Sequence, residues 1–167
     1  MPLANDLLEQ AYHLARREPK RPRQASLRRA VSTSYYALFH LLLSQVTANW
    51  KQTHQRPMLA RYFKHGNMFK ASDKQKAECA KFLNANPAPG ADTDCMTHLQ
   101  TVSLAFYQAY QQREFADYDN TKAWTRTQAL AIIDQVDAAF KAWPLIRNHK
   151  FAQAYLLAFL GDPRGRT

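Results

Sequence analysis

Among the 167 residues of this chain, six histidines and thirteen arginines could do proton or phosphate chemistry at neutral pH. Histidine takes up and releases protons near pH 7, and arginine grips phosphate through two parallel hydrogen bonds. The run Arg61-Tyr62-Phe63-Lys64-His65 sets one of each at helical spacing. On a helix, Arg61 and His65 stand one turn apart on one face, where both can approach a single phosphate. Lys64, Lys70 and Arg56 add positive charge nearby. The plainer reading of the same residues is an exposed basic helix face, with His65 favoured near the helix end by its dipole.

Two further groups stand out. The stretch 16–29 carries Arg16, Arg17, Lys20, Arg21, Arg23, Arg28 and Arg29 against one acid, Glu18. Arg28 and Arg29 fall at the start of a helix, where free N–H groups and the dipole help to hold phosphate. Such contacts position a nucleic acid without reading its bases; exposed aromatics such as Tyr62 or Tyr118 would extend them to single strands by stacking. Arg113 and Asp117, four apart, read either as part of a site or as an ion pair fixing the turn after them. No two histidines fall at i, i+4 and there is no Cys-x-x-Cys, so no metal site is expected. Four scattered glycines exclude a nucleotide-phosphate cradle, and no cofactor is expected.

The elements that must position these residues read as helices throughout. Gly is scarce, and Ala, Leu, Gln, Lys and Arg fill the stretches between breakers, which favours helices over a sandwich or barrel. A first helix over about 4–17 carries the stripe Leu7, Leu8, Ala11, Leu14 and Ala15. A second, over about 25–50, is apolar over so much of its surface that it belongs at the centre of a bundle. A third starts at Pro57 and runs through Met58, Leu59, Tyr62 and Phe63 to His65, with Gly66 as an interruption. A fourth spans about 73–83 from a Ser72-Asp73 cap. After a loop over 84–94, a fifth spans about 95–114. Thr125 and Gln128 form a capping box for the sixth, which Pro144 breaks or kinks after Trp143. The last runs over about 145–160 and stops at Gly161 and Pro163. The loop 84–94 separates no complete cores, so 1–167 reads as one all-α domain.

The segment Arg28-Arg29-Ala30-Val31-Ser32-Thr33-Ser34-Tyr35-Tyr36-Ala37-Leu38-Phe39-His40 resembles the signature helix of HEPN-domain proteins. Arg113-Glu114-Phe115-Ala116-Asp117-Tyr118-Asp119 is similar to an Arg-x-x-Ala-Asp-Tyr element before that family's last long helices, and 124–139 fits its capped C-terminal helix. The resemblance covers about residues 25–142. It implies an antiparallel helix bundle, here with additional short helices, that is usually a homodimer and associates with RNA. Toxin–antitoxin and phage-defence settings, with an antitoxin as a possible protein partner, come with it. Catalytic members carry Arg-x4-6-His, in which Arg contacts the scissile phosphate and His moves a proton during metal-free RNA cleavage. This chain departs from that motif: Tyr118 stands where the His after Arg113 belongs, and Arg61 to His65 is one residue short.

The net charge of +10 predicts attraction to a polyanion. Three readings follow. One is a metal-independent ribonuclease using Arg61, His65 and Arg113, with Arg21, Arg23, Arg28, Arg29, Lys64 and Tyr118 holding RNA. Another is a non-catalytic HEPN module binding RNA, nucleotide or a protein. The third is a helical interaction protein whose charge serves solubility or an acidic partner. Its stripe Ala152, Tyr155, Leu156, Phe159 and Leu160 is then a dimer or partner face, the plainer reading of that stripe being ordinary core. Two cysteines and no signal-like start point to a cytoplasmic, reducing compartment, and no apolar run is long enough for a membrane.

Overall fold

A computed structural model describes residues 2–161; Pro163, part of the expected stop, lies outside the described residues. In chain order the elements are α1 (Pro2–Arg16), α2 (Gln24–Ala48), a 3₁₀ turn (Thr53–Gln55), α3 (Arg56–Ala60), α4 (His65–Asn84), α5 (Ala91–Tyr118), α6 (Arg126–Ile146) and α7 (Lys150–Ala158). No strand occurs among the described residues, so the chain is all-α. It divides into two compact units. The first takes the described residues of Met1–Leu41 with Ala105–Phe140, and the second Leu42–Leu104 with those of Lys141–Thr167. The loop after α4 lies inside the second.

In the first unit, α1 buries Ala4, Leu8, Ala11 and Ala15 at helical spacing, with Leu7 and Leu14 only half-buried. Leu27 and Val31 of α2 pack with Ala116, Trp124, Ala129 and the partly buried Ile132. Tyr35 is fully buried, its ring 5.6 Å from Phe106 and 5.7 Å from Tyr110. In the second unit, Met68, Leu99, Trp143, Tyr155, Leu156 and Phe159 are buried, and Ser72 shares a 2.7 Å hydroxyl bond with Tyr155.

A helix leaves its last carbonyls without partners, and a glycine just past the end commonly lets the chain turn back to satisfy them. This chain has four glycines and uses arginine instead. Arg28 donates to the carbonyls of Ala116 (3.0 Å), Asp119 (2.8 Å) and Lys122 (2.6 Å), closing α5. Arg126 donates to Ala15 (3.2 Å), Pro19 (2.9 Å) and Glu18 beyond α1. In the second unit Arg56 does the same for α2, reaching Ala48 and Trp50, each at 2.9 Å. A cation at the negative end of the helix dipole adds to each bond. Among the described residues glycine serves at one place, after α7, where Gly161 takes φ +91°.

Several boundaries differ from those the sequence predicts. The capping box is formed reciprocally: Gln128 N donates to Thr125 Oγ1 (3.1 Å) and Thr125 N to Gln128 Oε1 (3.0 Å). Pro144 does not end α6, which continues to Ile146; the ring costs one bond in the last turn, and Arg147 N still reaches Trp143 O at 3.0 Å. Residues 145 and 146 therefore end α6, and α7 starts at Lys150. Ser72 does not cap a helix. Its hydroxyl bonds back to Met68 O at 2.7 Å from inside α4, which begins eight residues earlier than the predicted start at Asp73.

Candidate nucleic-acid interface

The predicted third helix is broken between the residues expected to cooperate on it. Five residues are too few for a helix to stand alone, and α3 ends at Ala60 with Arg61 as its C-terminal cap. Tyr62 N and Phe63 N then make tight-turn bonds to Leu59 O (3.0 Å) and Ala60 O (3.3 Å). Phe63 buries its ring, and Lys64 swings to an extended conformation, φ −94° and ψ 135°, before α4 starts at His65. Arg61 therefore caps the end of α3 while His65 opens α4, and the two do not stand one turn apart on one helix face. Gly66 belongs to the first turn of α4 and interrupts nothing.

Burying Phe63 turns its neighbours outward. Arg61 and Lys64 are exposed, Tyr62 between them is 67% exposed, and His65 is half-buried. No side chain caps the start of α4 and no acid lies in its first turn, so its positive end faces these cations uncompensated. Lys70 is exposed further along, but Arg56 is not added charge for this turn, because its guanidinium closes α2. The sequence between Glu18 and Asp73 contains no acidic residue.

The remaining candidate residues belong to the first unit. Arg21, Arg23 and Arg29 are exposed, and Tyr118 is 72% exposed at the end of α5. Arg28 is committed to carbonyls, so the expectation that it holds phosphate gives way to a structural role. Glu18 lies within this basic segment. It accepts from Ser26 Oγ (2.8 Å) and Arg23 N (3.3 Å), and the Ser26 bond leads in holding its carboxyl below the usual range.

Arg113 is 8% exposed. Its guanidinium lies 5.2 Å from the centre of the Tyr35 ring and 5.4 Å from that of Tyr110. Nη1 meets Glu114 at 2.7 Å, and Nε stands 3.9 Å from Asp117 Oδ2, which also receives Ser32 Oγ at 3.2 Å. Burial works against its charge, but Glu114 and the tyrosines outweigh that and hold its pKa above the ordinary value. The i, i+4 pair of Arg113 with Asp117 is present but long, with no hydrogen bond from Nε. The closer charge pair is with Glu114, beside the cation–π contact with the tyrosines. A catalytic grouping of Arg113 with Arg61 and His65 receives no support from these surroundings. His40 is half-buried, and burial lowers its pKa.

The sequence reading missed a cluster in the second unit. His149 caps α7: its Nδ1 accepts from Phe151 N at 3.3 Å, while Nε2 lies 3.2 Å from Asp92 Oδ1. Lys150 Nζ reaches the other carboxylate oxygen at 3.0 Å, and its bond leads in holding the Asp92 carboxyl low. Accepting at Nδ1 leaves the proton on Nε2, facing Asp92. The position of His149 just before an apolar helical stripe was the one available signal. Cys79 and Cys95 are buried and free, and burial raises both thiol pKa values, which makes them inert. No group of three metal-ligating side chains exists among the described residues. None of their helices is long and apolar enough to cross a membrane.

The fold and this surface define an all-α protein with exposed cations flanking an exposed aromatic. Comparison with family models, with curated proteins and with solved structures finds no match for this chain.

Proposed function

We propose that this chain is a HEPN-like module that binds single-stranded RNA without cutting it. The observation that carries this reading is the α3–α4 turn, where Tyr62, Arg61 and Lys64 are all exposed within four residues in a stretch of sequence without acids. A flat aromatic stacks on an unpaired base whatever its identity, and the two cations take the flanking phosphates. Arg21, Arg23 and Arg29 offer further backbone contacts in the first unit. Cleavage is the weaker account because Arg113 is enclosed by its own tyrosines and acids, and Arg61 and His65 do not share a helix face.

The test is binding of a labelled mixed-sequence single-stranded RNA across a salt series in EDTA. Wild-type protein binds in a salt-dependent manner and the RNA is recovered intact. Tyr62→Ala costs about 1–3 kcal/mol of affinity. Arg61→Ala and Lys64→Ala each flatten the plot of log affinity against log salt by about 0.7. Affinity unchanged in all three variants would refute the assignment to this turn. Cleavage to 2′,3′-cyclic phosphate ends that His65→Ala abolishes would replace binding with ribonuclease activity.

A further inference from the structure

The second unit carries a groove of about 480 Å³ between the end of α2, the α3 region and α7. Its floor and walls are aliphatic and aromatic: Trp50, Leu59, Phe63, Leu156, Leu157 and Leu160 among them. Leu156 and Phe63 are buried core residues, but Leu157 is 67% exposed, Leu160 52% and Trp50 48%. Of the C-terminal apolar stripe, Ala152, Tyr155, Leu156 and Phe159 are core, and Leu160 alone stands exposed. The walls are tied together: Asn49 Nδ2 donates to Gln153 Oε1 at 2.7 Å, and Gln153 Nε2 donates to Arg147 O. A groove of this size lies in the range that binds ligands. Its protruding leucines, however, would remain in water around a small molecule, and only a larger partner covers them.

Charge narrows the partner. The two segments that build the groove, 42–72 and 141–161, contain not one Asp or Glu and eight Lys and Arg, six besides Arg56, which closes α2, and Lys150, which pairs with Asp92. Lys51 follows Trp50 in the chain, and Arg147 supplies the carbonyl that holds Gln153; both side chains are exposed. Of the five acids elsewhere in this unit, three are engaged among the described residues: Asp73 with Lys76, Glu78 with Lys74, and Asp92 with His149 and Lys150. RNA would satisfy the cations but has nothing to place among leucines. An α-helix with leucine-like side chains along one face and carboxylates along the other satisfies both.

We propose that this groove is the docking site for an acidic amphipathic helix of a partner protein. The apolar stripe of that helix fills the space over Leu59, Phe63 and Leu156, and its carboxylates meet the cations beside it. The site is separate in chemistry from the RNA-binding turn, and either reading can fail alone.

The probe is a labelled designed peptide of about 18 residues, five helical turns, with leucine at i, i+3, i+4 and i+7 and glutamate on the opposite face. One control replaces glutamate with lysine; a second keeps the composition but scatters the leucines. The Leu/Glu peptide binds at least about tenfold more tightly than either control, and Leu157→Asp weakens it by about tenfold or more. Lys51→Glu combined with Arg147→Glu weakens it as well. Leu157 is exposed, so its substitution leaves the fold intact, which melting of the variant checks.

Three results overturn the proposal: no saturable binding, equal binding of the controls, or indifference to Leu157→Asp. It also fails if Leu157→Asp abolishes a concentration-dependent dimer in sedimentation, which would give the face to a second copy. Loss of RNA affinity in Leu157→Asp would give the face to RNA and equally overturn it. Peptide binding that persists while Tyr62→Ala leaves RNA affinity unchanged would sink the RNA reading and keep the docking site.

Discussion

Removing the Arg113 side chain takes a guanidinium from between two tyrosine rings and leaves Glu114 and Asp117 without their counter-charge. Arg113→Ala is expected to destabilise the protein by about 1–3 kcal/mol, since it combines lost packing with a broken charge network. Arg113→Lys recovers only part of this, because an ammonium cannot lie flat on the rings. Arg61→Ala stays within about 0.5 kcal/mol of wild type, as expected of an exposed side chain. Urea unfolding of the three variants checks the ordering; equal losses at 61 and 113 would contradict it. Both arginines look alike in sequence, each near a His or Tyr at suggestive spacing. What separates them is whether aromatic residues from distant segments close over them, and Tyr35 lies 78 positions from Arg113.

Acid sensitivity belongs to the same scale. Asp92 is depressed by Lys150 and His149, Glu18 by Ser26 and its neighbours, and Asp119 by Thr121. A carboxylate whose folded pKa lies below its unfolded one contributes stability above the unfolded value and loses it as pH falls through the folded one. Stability should therefore drop as pH goes below about 4, and Asp92→Asn should make that drop shallower. Melting profiles of the two proteins across acid pH measure this. Parallel profiles would mean that the contacts of Asp92 do not persist in solution.

At the scale of elements, the legible features are those written in neighbouring residues. Thr125 and Gln128 announce their box within four positions, and the bonds form as read. The ends of α1 and α5 announce nothing, because the groups that close them come from far along the chain, whereas Arg56 closes α2 from eight positions away. Arg28 reaches a carbonyl 94 positions away and Arg126 one 111 positions away. For the same reason Arg28 reads from sequence as a phosphate ligand. The break after α3 was hidden too: the pattern Met58, Leu59, Tyr62, Phe63 is helical, and only the burial of Phe63 shows that the chain turns to deliver it. Arg28→Ala is expected to cost about 1.5–3 kcal/mol by leaving several carbonyls without their charged donor, and Thr125→Ala about 1 kcal/mol. Hydrogen exchange sharpens the test. The Arg28 variant should fray the last turn of α5 and the turn over 119–122, and protection unchanged there would refute the capping role.

Over the whole chain, charge could not be assigned before knowing which segments belong together. The sequence draws the eye to the basic stretch 16–29. Yet the segments of the first unit hold ten Lys and Arg against eight Asp and Glu, and those of the second hold thirteen against five. Residues 105–140 bring five acids into the first unit, Glu114, Asp117, Asp119, Asp134 and Asp137, against three cations, and together with Asp6 and Glu9 they bring the unit down to a net +2 (ten minus eight). The second unit keeps its excess, and it is the unit that carries the α3–α4 turn and the groove. An excess of this size repels itself, and compaction brings those charges closer. Salt screens repulsion beyond a Debye length of about 10 Å at 0.1 M, while the described ion pairs are mostly exposed and individually weak. Screening should thus relieve more repulsion than it removes attraction, so Tm should rise between low and moderate sodium chloride. Lys51→Glu with Arg147→Glu should raise Tm at low salt and reduce its salt dependence. A Tm that falls with salt would mean that ion pairs outweigh repulsion, and that the positive surface of the second unit is better compensated than its sequence implies.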